Sequence, residues 1–169
     1  MTTTFAPHDT STLTMPSPIG PITLRASADA LTGVDIGSAA DRSESHAEAG
    51  VHPVLSLAAA QLDEYFAGDR QDFDLPIELR GTEFQLQVWQ ALGAIPYGQT
   101  LSYGELAEQV GRPGAARAIG GAVGANPLPI VIPCHRVMGK DGSITGYSGG
   151  DGVSTKRRLL DLEHSAAAR

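Results

Sequence analysis

The chain has one cysteine in 169 residues. A single thiol excludes an intramolecular disulfide framework, and without a CxxC pair a zinc-finger reading is weak. No apolar run approaches the roughly 18 residues that a membrane span needs. The stretch MTTTFAPHDTSTLT at the N-terminus lacks a basic start followed by an apolar core. No secretory signal is therefore expected, and the cytoplasm is the default compartment. Nucleotide-binding loops are missing too. GGAVG lacks the G-x-G-x-x-G spacing and does not follow a strand, and GYSGGDG lacks the Gly-Lys-Ser/Thr ending of a phosphate loop. No internal repeat is visible. What is present, 41% hydrophobic and 18% charged residues, describes an ordinary globular protein with room for one compact domain or two small ones.

The net charge of −7 argues at first against nucleic acid, but it is unevenly spread. Residues 1–80 hold 4 Lys/Arg against 12 Asp/Glu, whereas residues 81–169 hold 8 against 7. Between Gln109 and Lys140 stand Arg112, Arg117, Arg136 and Lys140 with no acidic residue among them. A duplex backbone can use such a zone. Dispersed basic residues on a solvated face are also common, so charge alone leaves both readings open.

The first third has the pattern of a small sheet. STLTM and PITLRAS flank the Pro/Gly cluster PSPIGP, and ALTGVDIG follows. The segment 37–50 is small, polar and aperiodic, and is expected to be a mobile loop. From Pro53 onward Leu55, Ala58, Leu62 and Tyr65 recur at helical spacing until Gly68, which predicts a helix of three to four turns. The connector 68–80 contains DFDLPIELRG, an extended or edge-strand pattern interrupted by Pro76. This predicts an N-terminal β-rich domain over 1–80 and a second domain over 81–169. The second part is mainly helical. Thr82 with Gln85, and Ser102 with Glu105, are capping-box pairs that open two helices. RPG makes a turn, and AARAIGGAVGAN offers another short helix, giving a helix-turn-helix outline. The last of these helices is built almost wholly of small residues around Arg117. That composition suits close approach to a DNA backbone or groove floor, or simply tight packing inside the protein.

The lone cysteine sits in PIVIPCHRVMGKDG, where Pro133 ends an apolar run just before Cys134, His135 and Arg136. A solitary cysteine is ordinarily an inert small hydrophobe. Here a proton acceptor and positive charge adjoin it, and both favour a thiolate. Neighbours on a strand point to opposite faces, so Cys134 and His135 need a turn or a bridging water to communicate. Asp161 and Glu163 on the closing helix STKRRLLDLE are candidate groups to orient the base.

IPCHRV, together with RGTEFQLQVW, YGQTLSYGELA, ARAIGGAVGANP and GYSGG, resembles the O6-alkylguanine-DNA alkyltransferases, the methylated-DNA–protein-cysteine methyltransferases. The likeness runs from about Leu79 to Glu163, and SPIGP near the N-terminus is also typical. It implies an α/β (α+β) architecture, with a small β-sheet plus helix in the N-terminal domain. A mainly helical C-terminal domain would follow, with a helix-turn-helix, winged-helix-like DNA-binding element. It further implies irreversible, single-turnover transfer of an alkyl group from O6-alkylguanine, with O4-alkylthymine a further substrate, to Cys134. His135 would act through a water as base, Glu163 would orient His135, and Asn126 would tie the recognition helix to the active-site segment. Tyr103 and Arg117 would serve base flipping. Tyr147 and Ser148 would donate toward O6, and Pro129 and Val137 would line the pocket. The DNA-facing set would be Arg117, Tyr103, Ala116, Gly120 and Arg136.

By the same resemblance the expected partner is double-stranded DNA carrying the lesion, met in the minor groove by a protein monomeric in solution; cooperative binding along DNA is left open by the sequence. No cofactor and no metal are expected, and no membrane partner. Five residues, DGVST, separate Gly150 from Lys156 where the family commonly has about three. Two other readings compete. Non-catalytic proteins that bind or mark alkylated DNA carry another residue at the cysteine position. A hydrolytic Cys-His enzyme would need an oxyanion hole, for which the sequence offers no sign.

Overall fold

The computed structural model describes residues 10–37 and 52–169. The expected mobile loop 37–50 lies, apart from Gly37, outside the described residues. Three strands, β1 (Ser11–Met15), β2 (Ile22–Ala26) and β3 (Leu31–Ile36), form an antiparallel sheet in the order β1-β2-β3. Leu13 pairs with Leu24, and Leu24 with Val34, so each strand's apolar residues share one face. Helix α1 (Pro53–Ala67) covers that face with Leu55, Ala58, Leu62 and Tyr65. Its start is fixed by Pro53 and by the His52 ring, which accepts from Leu55 N–H; its end by Gly68 at φ 80°.

Strand β3 meets the rest of the chain along its free side. Leu31 bridges to Ile77, so the connector pairs at one point and continues no further. Val34 N–H donates to the Pro127 carbonyl, and Gly150 N–H to the Ile36 carbonyl. These bonds fasten the C-terminal half to the sheet edge, and one cluster of buried apolar residues runs through both halves.

In the C-terminal half both capping boxes form. Thr82 and Gln85 open α2 (Glu83–Gly93), and Ser102 and Glu105 open α3 (Tyr103–Gln109). Each helix thereby satisfies two backbone N–H groups locally, which is why their starts were readable. Gly111 and Gly114, at φ 72° and 82°, make the turn into α4 (Ala116–Gly124). Trp89 Nε1 donates to the Ala122 carbonyl at 2.8 Å and ties α2 to α4. Two-residue strands β4 (Leu101–Ser102) and β5 (Val137–Met138) pair in parallel, and α5 (Val153–Ala167) closes the chain. Much of the DGVST insertion is taken up as the first turn of α5, with Thr155 Oγ1 accepting from Asp151 N–H at 2.9 Å. Among the described residues no helix is long and apolar enough to cross a membrane.

Candidate active site

Cys134 begins a single turn of 3-10 helix, Cys134–Arg136, directly after Pro133. The turn removes the strand geometry that would have sent Cys134 and His135 to opposite faces. The segment before it is held by Asn126, whose Nδ2 donates to the Ile132 carbonyl at 2.8 Å while its Oδ1 accepts from Leu128 N–H at 3.0 Å. Within this loop Ile130 adopts φ 75°, an uncommon conformation for a β-branched residue, and it is buried. The Asn126 clamp and the Ile132 N–H to Leu128 carbonyl bond hold that strained turn in place.

Behind the thiol lies a buried charge cluster centred on Glu163. Its Oε1 accepts from His135 Nε2 at 2.7 Å, Tyr65 Oη at 2.8 Å and Arg136 Nη2 at 2.9 Å. Its Oε2 accepts from Arg136 Nε at 2.9 Å and, more weakly, from Gly98 N–H at 3.4 Å. Arg136 also donates to the Ile95 carbonyl at 2.6 Å and lies over the Tyr97 ring. Burial works to raise the Glu163 carboxyl, but hydrogen bonds from His135 and Arg136 and the charge of both prevail and hold it at about 2. It is therefore ionised at neutral pH. Burial dominates at His135 and lowers it from the ordinary imidazole value, against the pull of Glu163. A neutral ring that donates Nε2–H to the carboxylate leaves Nδ1 as an acceptor, and that Nδ1 is buried without a protein partner. Burial likewise pushes the Cys134 thiol up, partly offset by Asn126 and by the ammonium of Lys156. At rest the sulfur carries its proton.

A cavity of about 190 Å³ adjoins the thiol. Cys134, Pro129, Tyr147 and Ser148 line it, together with Arg25 and Asp35 from the sheet. The Tyr147 hydroxyl is buried, has no hydrogen-bond partner, and is an available donor there. The glycines of GYSGG allow this wall to lie against β3: a Cβ on Gly150 would stand 2.6 Å from Thr155 Oγ1 and 3.1 Å from Ile36 Cγ2. Tyr103 is half-buried beside the cavity rather than in its wall, against Gly120 and Gly146, with its ring 6.0 Å from Lys156 Nζ.

The face of α4 differs from the cavity. Ile119, Ala122 and Val123 point into the core, while Ala116, Arg117, Gly121 and Gly124 are exposed and Gly120 is half-exposed. A Cβ built on Gly121 or Gly124 meets nothing within 4 Å. Internal packing therefore does not require a glycine at either position, whereas Ala122 on the other face is packed in the core beside Trp89.

Two expectations change, and a choice between two residues closes. Arg136 was placed in the DNA-facing set, but it is only 5% exposed and bound to Glu163 and Ile95, so no phosphate can reach its guanidinium. Val137 does not line the cavity; it is fully buried in the β4–β5 pairing. Of the two acidic candidates on α5, Asp161 is exposed and Glu163 alone meets His135.

The C-terminal half, residues 83–165, matches the model of the 6-O-methylguanine DNA methyltransferase DNA binding domain. Residues 12–79 match the ribonuclease-like domain of the same methyltransferases. The chain is 49% identical over 157 residues to the methylated-DNA–protein-cysteine methyltransferase of Mycobacterium bovis, covering 91% of this chain and 92% of that one. The chain belongs to the methylated-DNA–protein-cysteine methyltransferase family. To the namesake from Methanosarcina acetivorans it is 43% identical over 152 residues, covering 88% and 95% of the two chains. The crystal structure of Mycobacterium tuberculosis OGT in complex with DNA superposes with a TM-score of 0.78 at 47% identity, covering 90% and 92%.

Sequence reasoning missed two buried polar groups in this methyltransferase. Lys156 is 0% exposed and donates to the Val137 and Thr145 carbonyls beside the cysteine loop. It shares the i, i+3, i+7 face of α5 with Leu159 and Glu163, a periodicity that marks it as inward-facing despite its charge. Tyr65 was read as core through its spacing on α1, which says nothing about where its hydroxyl goes.

Proposed function

We propose that this protein repairs DNA by direct reversal, moving one alkyl group from O6-alkylguanine onto Cys134, and does so once. The observation that carries this reading is a lone thiol in the wall of a small cavity, backed by an imidazole that a buried carboxylate fixes and leaves with a free Nδ1. The Cys134 proton passes through a water to His135 Nδ1, and Glu163 stabilises the imidazolium that forms. Sulfur then attacks the alkyl carbon in line. The S–C bond forms, the C–O6 bond breaks, and the electron pair departs on the guanine oxygen. The Tyr147 hydroxyl and Ser148 at the cavity wall donate hydrogen bonds to that oxygen as charge develops, and the guanine anion takes up the proton that His135 releases through the water, so that neutral guanine leaves. A thioether has no easy route back to the thiol, so each molecule acts once.

The target atom lies inside the duplex, so the nucleotide must leave the stack at a cost of a few kcal/mol. The bare face of α4 fits the minor groove, where small residues allow the helix to sink in and Arg117 is the long side chain that can fill the vacated space. Tyr103, at the first turn of α3, stands between this face and the cavity and helps drive the base across. One chain carries all of these parts, so it acts as a monomer.

Stoichiometry tests the reading. With excess duplex containing one O6-methylguanine, lesions repaired should level off at one per protein molecule. Continued turnover would place the protein among hydrolytic Cys-His enzymes, and tight binding without repair would place it among proteins that only mark the lesion.

A further inference from the structure

We infer that Tyr65 is a positioning residue of the alkyl-transfer reaction, holding Glu163 against His135 from the N-terminal half of the protein. The inference rests on the function proposed above and adds a participant from outside the cysteine-bearing half. Tyr65 lies on α1, 98 positions before Glu163 in the chain, is fully buried, and donates at 2.8 Å to the same oxygen that accepts from His135 Nε2. Its ring is wedged by Phe66, Phe73 and Tyr97 at centroid separations of 5.4, 5.5 and 6.2 Å. A phenylalanine would fill that space equally well. A buried hydroxyl costs free energy unless bonded, and this one is bonded to the anion on which the base depends.

The groups facing Glu163 come from three elements besides its own helix. They are Tyr65 from α1, Tyr97 and Gly98 N–H from the turn after α2, and His135 and Arg136 from the 3-10 turn. Lys156, also on α5, acts on His135 through its charge. Besides His135 itself, the Tyr65 hydroxyl is the uncharged side-chain donor to this carboxylate, so removing it changes no formal charge and leaves the Arg136 fork intact. Without it the carboxylate holds a proton more tightly and pulls harder on the His135 N–H. Both changes make protonation of the base machinery easier, and both move the acid limb of the reaction the same way.

The test is the single-turnover transfer rate against pH for the full chain and for Tyr65→Phe, with methyl gain on Cys134 as readout. The acid limb should move to higher pH by about one unit, so that rates measured on the limb fall roughly tenfold while the plateau changes far less. A uniform loss at all pH values with an unmoved limb is what a merely structural tyrosine gives, and would overturn the inference. In case Tyr65→Phe does not fold, Tyr65 exchanged site-specifically for 3-fluorotyrosine, a stronger donor of nearly the same shape, decides the matter. Its limb should move to lower pH, and an unmoved limb would again overturn the inference. Wild type that fails to gain a methyl group on Cys134 would instead remove the function on which the inference stands, a result visible before any variant is compared.

Discussion

Two surfaces of this protein handle charge in opposite ways. Around Glu163 the charge is internal: one carboxylate, one guanidinium, one imidazole and a tyrosine hydroxyl satisfy one another away from water. Along α4 almost nothing projects, and Arg117 stands exposed on a strip of alanine and glycine. The interior cluster fixes a geometry before any DNA arrives, which is the preorganisation that transfer chemistry needs. The exposed strip leaves space for a partner to approach. Arg136 and Arg117, only nineteen positions apart in the sequence, therefore do unrelated work, and a charge count that groups them misreads the first.

Glu163→Gln breaks the comparison most severely, because it leaves the buried Arg136 without its counter-charge. Loss of one partner from such a pair costs about 3–5 kcal/mol, to be read from denaturant midpoints, and transfer should be lost with it. The same cluster sets acid stability. Glu163 and His135 both titrate lower in the folded protein than their ordinary values of 4.5 and 6.5. Each therefore adds stability that is complete above its unfolded value and is lost as pH falls toward the folded one. Melting temperature should begin to fall below about pH 6.5 and fall more steeply below 4.5, and Glu163→Gln should flatten the lower step.

Arg117→Ala sharpens the comparison from the other side. Melting temperature should hold, since the side chain is exposed. Repair of a duplex lesion should slow about tenfold, equivalent to some 1.4 kcal/mol of the flipping cost, whereas reaction with the free alkylated base should not change. Equal slowing of both substrates would move Arg117 into the chemistry and erase the division of labour. The smallest effect is expected at Gly121. With open space around its Cβ position, Gly121→Ala should stabilise α4 by about 0.5–1 kcal/mol, while Gly121→Gln should weaken binding to duplex DNA, measured by anisotropy. Unchanged binding in the glutamine variant would mean that this face does not enter the groove.

How much of this was legible in the sequence depends on how local each signal is. The capping boxes of α2 and α3 and the ends of α1 are written within three or four residues, and the sequence placed them well. The three strands and their turn were equally local. The chemistry was less so. Helical spacing puts Glu163 on the inward face with Lys156 and Leu159 and leaves Asp161 off it, but it does not name His135 as the partner; the family resemblance suggested that. Burial of Arg136 depends on a carboxylate 27 positions away, and the hydroxyl of Tyr65 on the same carboxylate 98 positions away. The cavity wall formed by Arg25 and Asp35 exists only because the GYSGG loop docks on β3. Such contacts are decided by tertiary packing, and a local pattern cannot report them.

The central claim is that the alkyl group ends on Cys134. Intact-mass and peptide spectra taken before and after reaction with a duplex bearing one O6-methylguanine test it directly, with Cys134→Ala beside the natural chain. The account predicts a gain of one methylene unit on the peptide containing Cys134, and none in the variant. A methyl group on another residue, or repair by the variant, would contradict it.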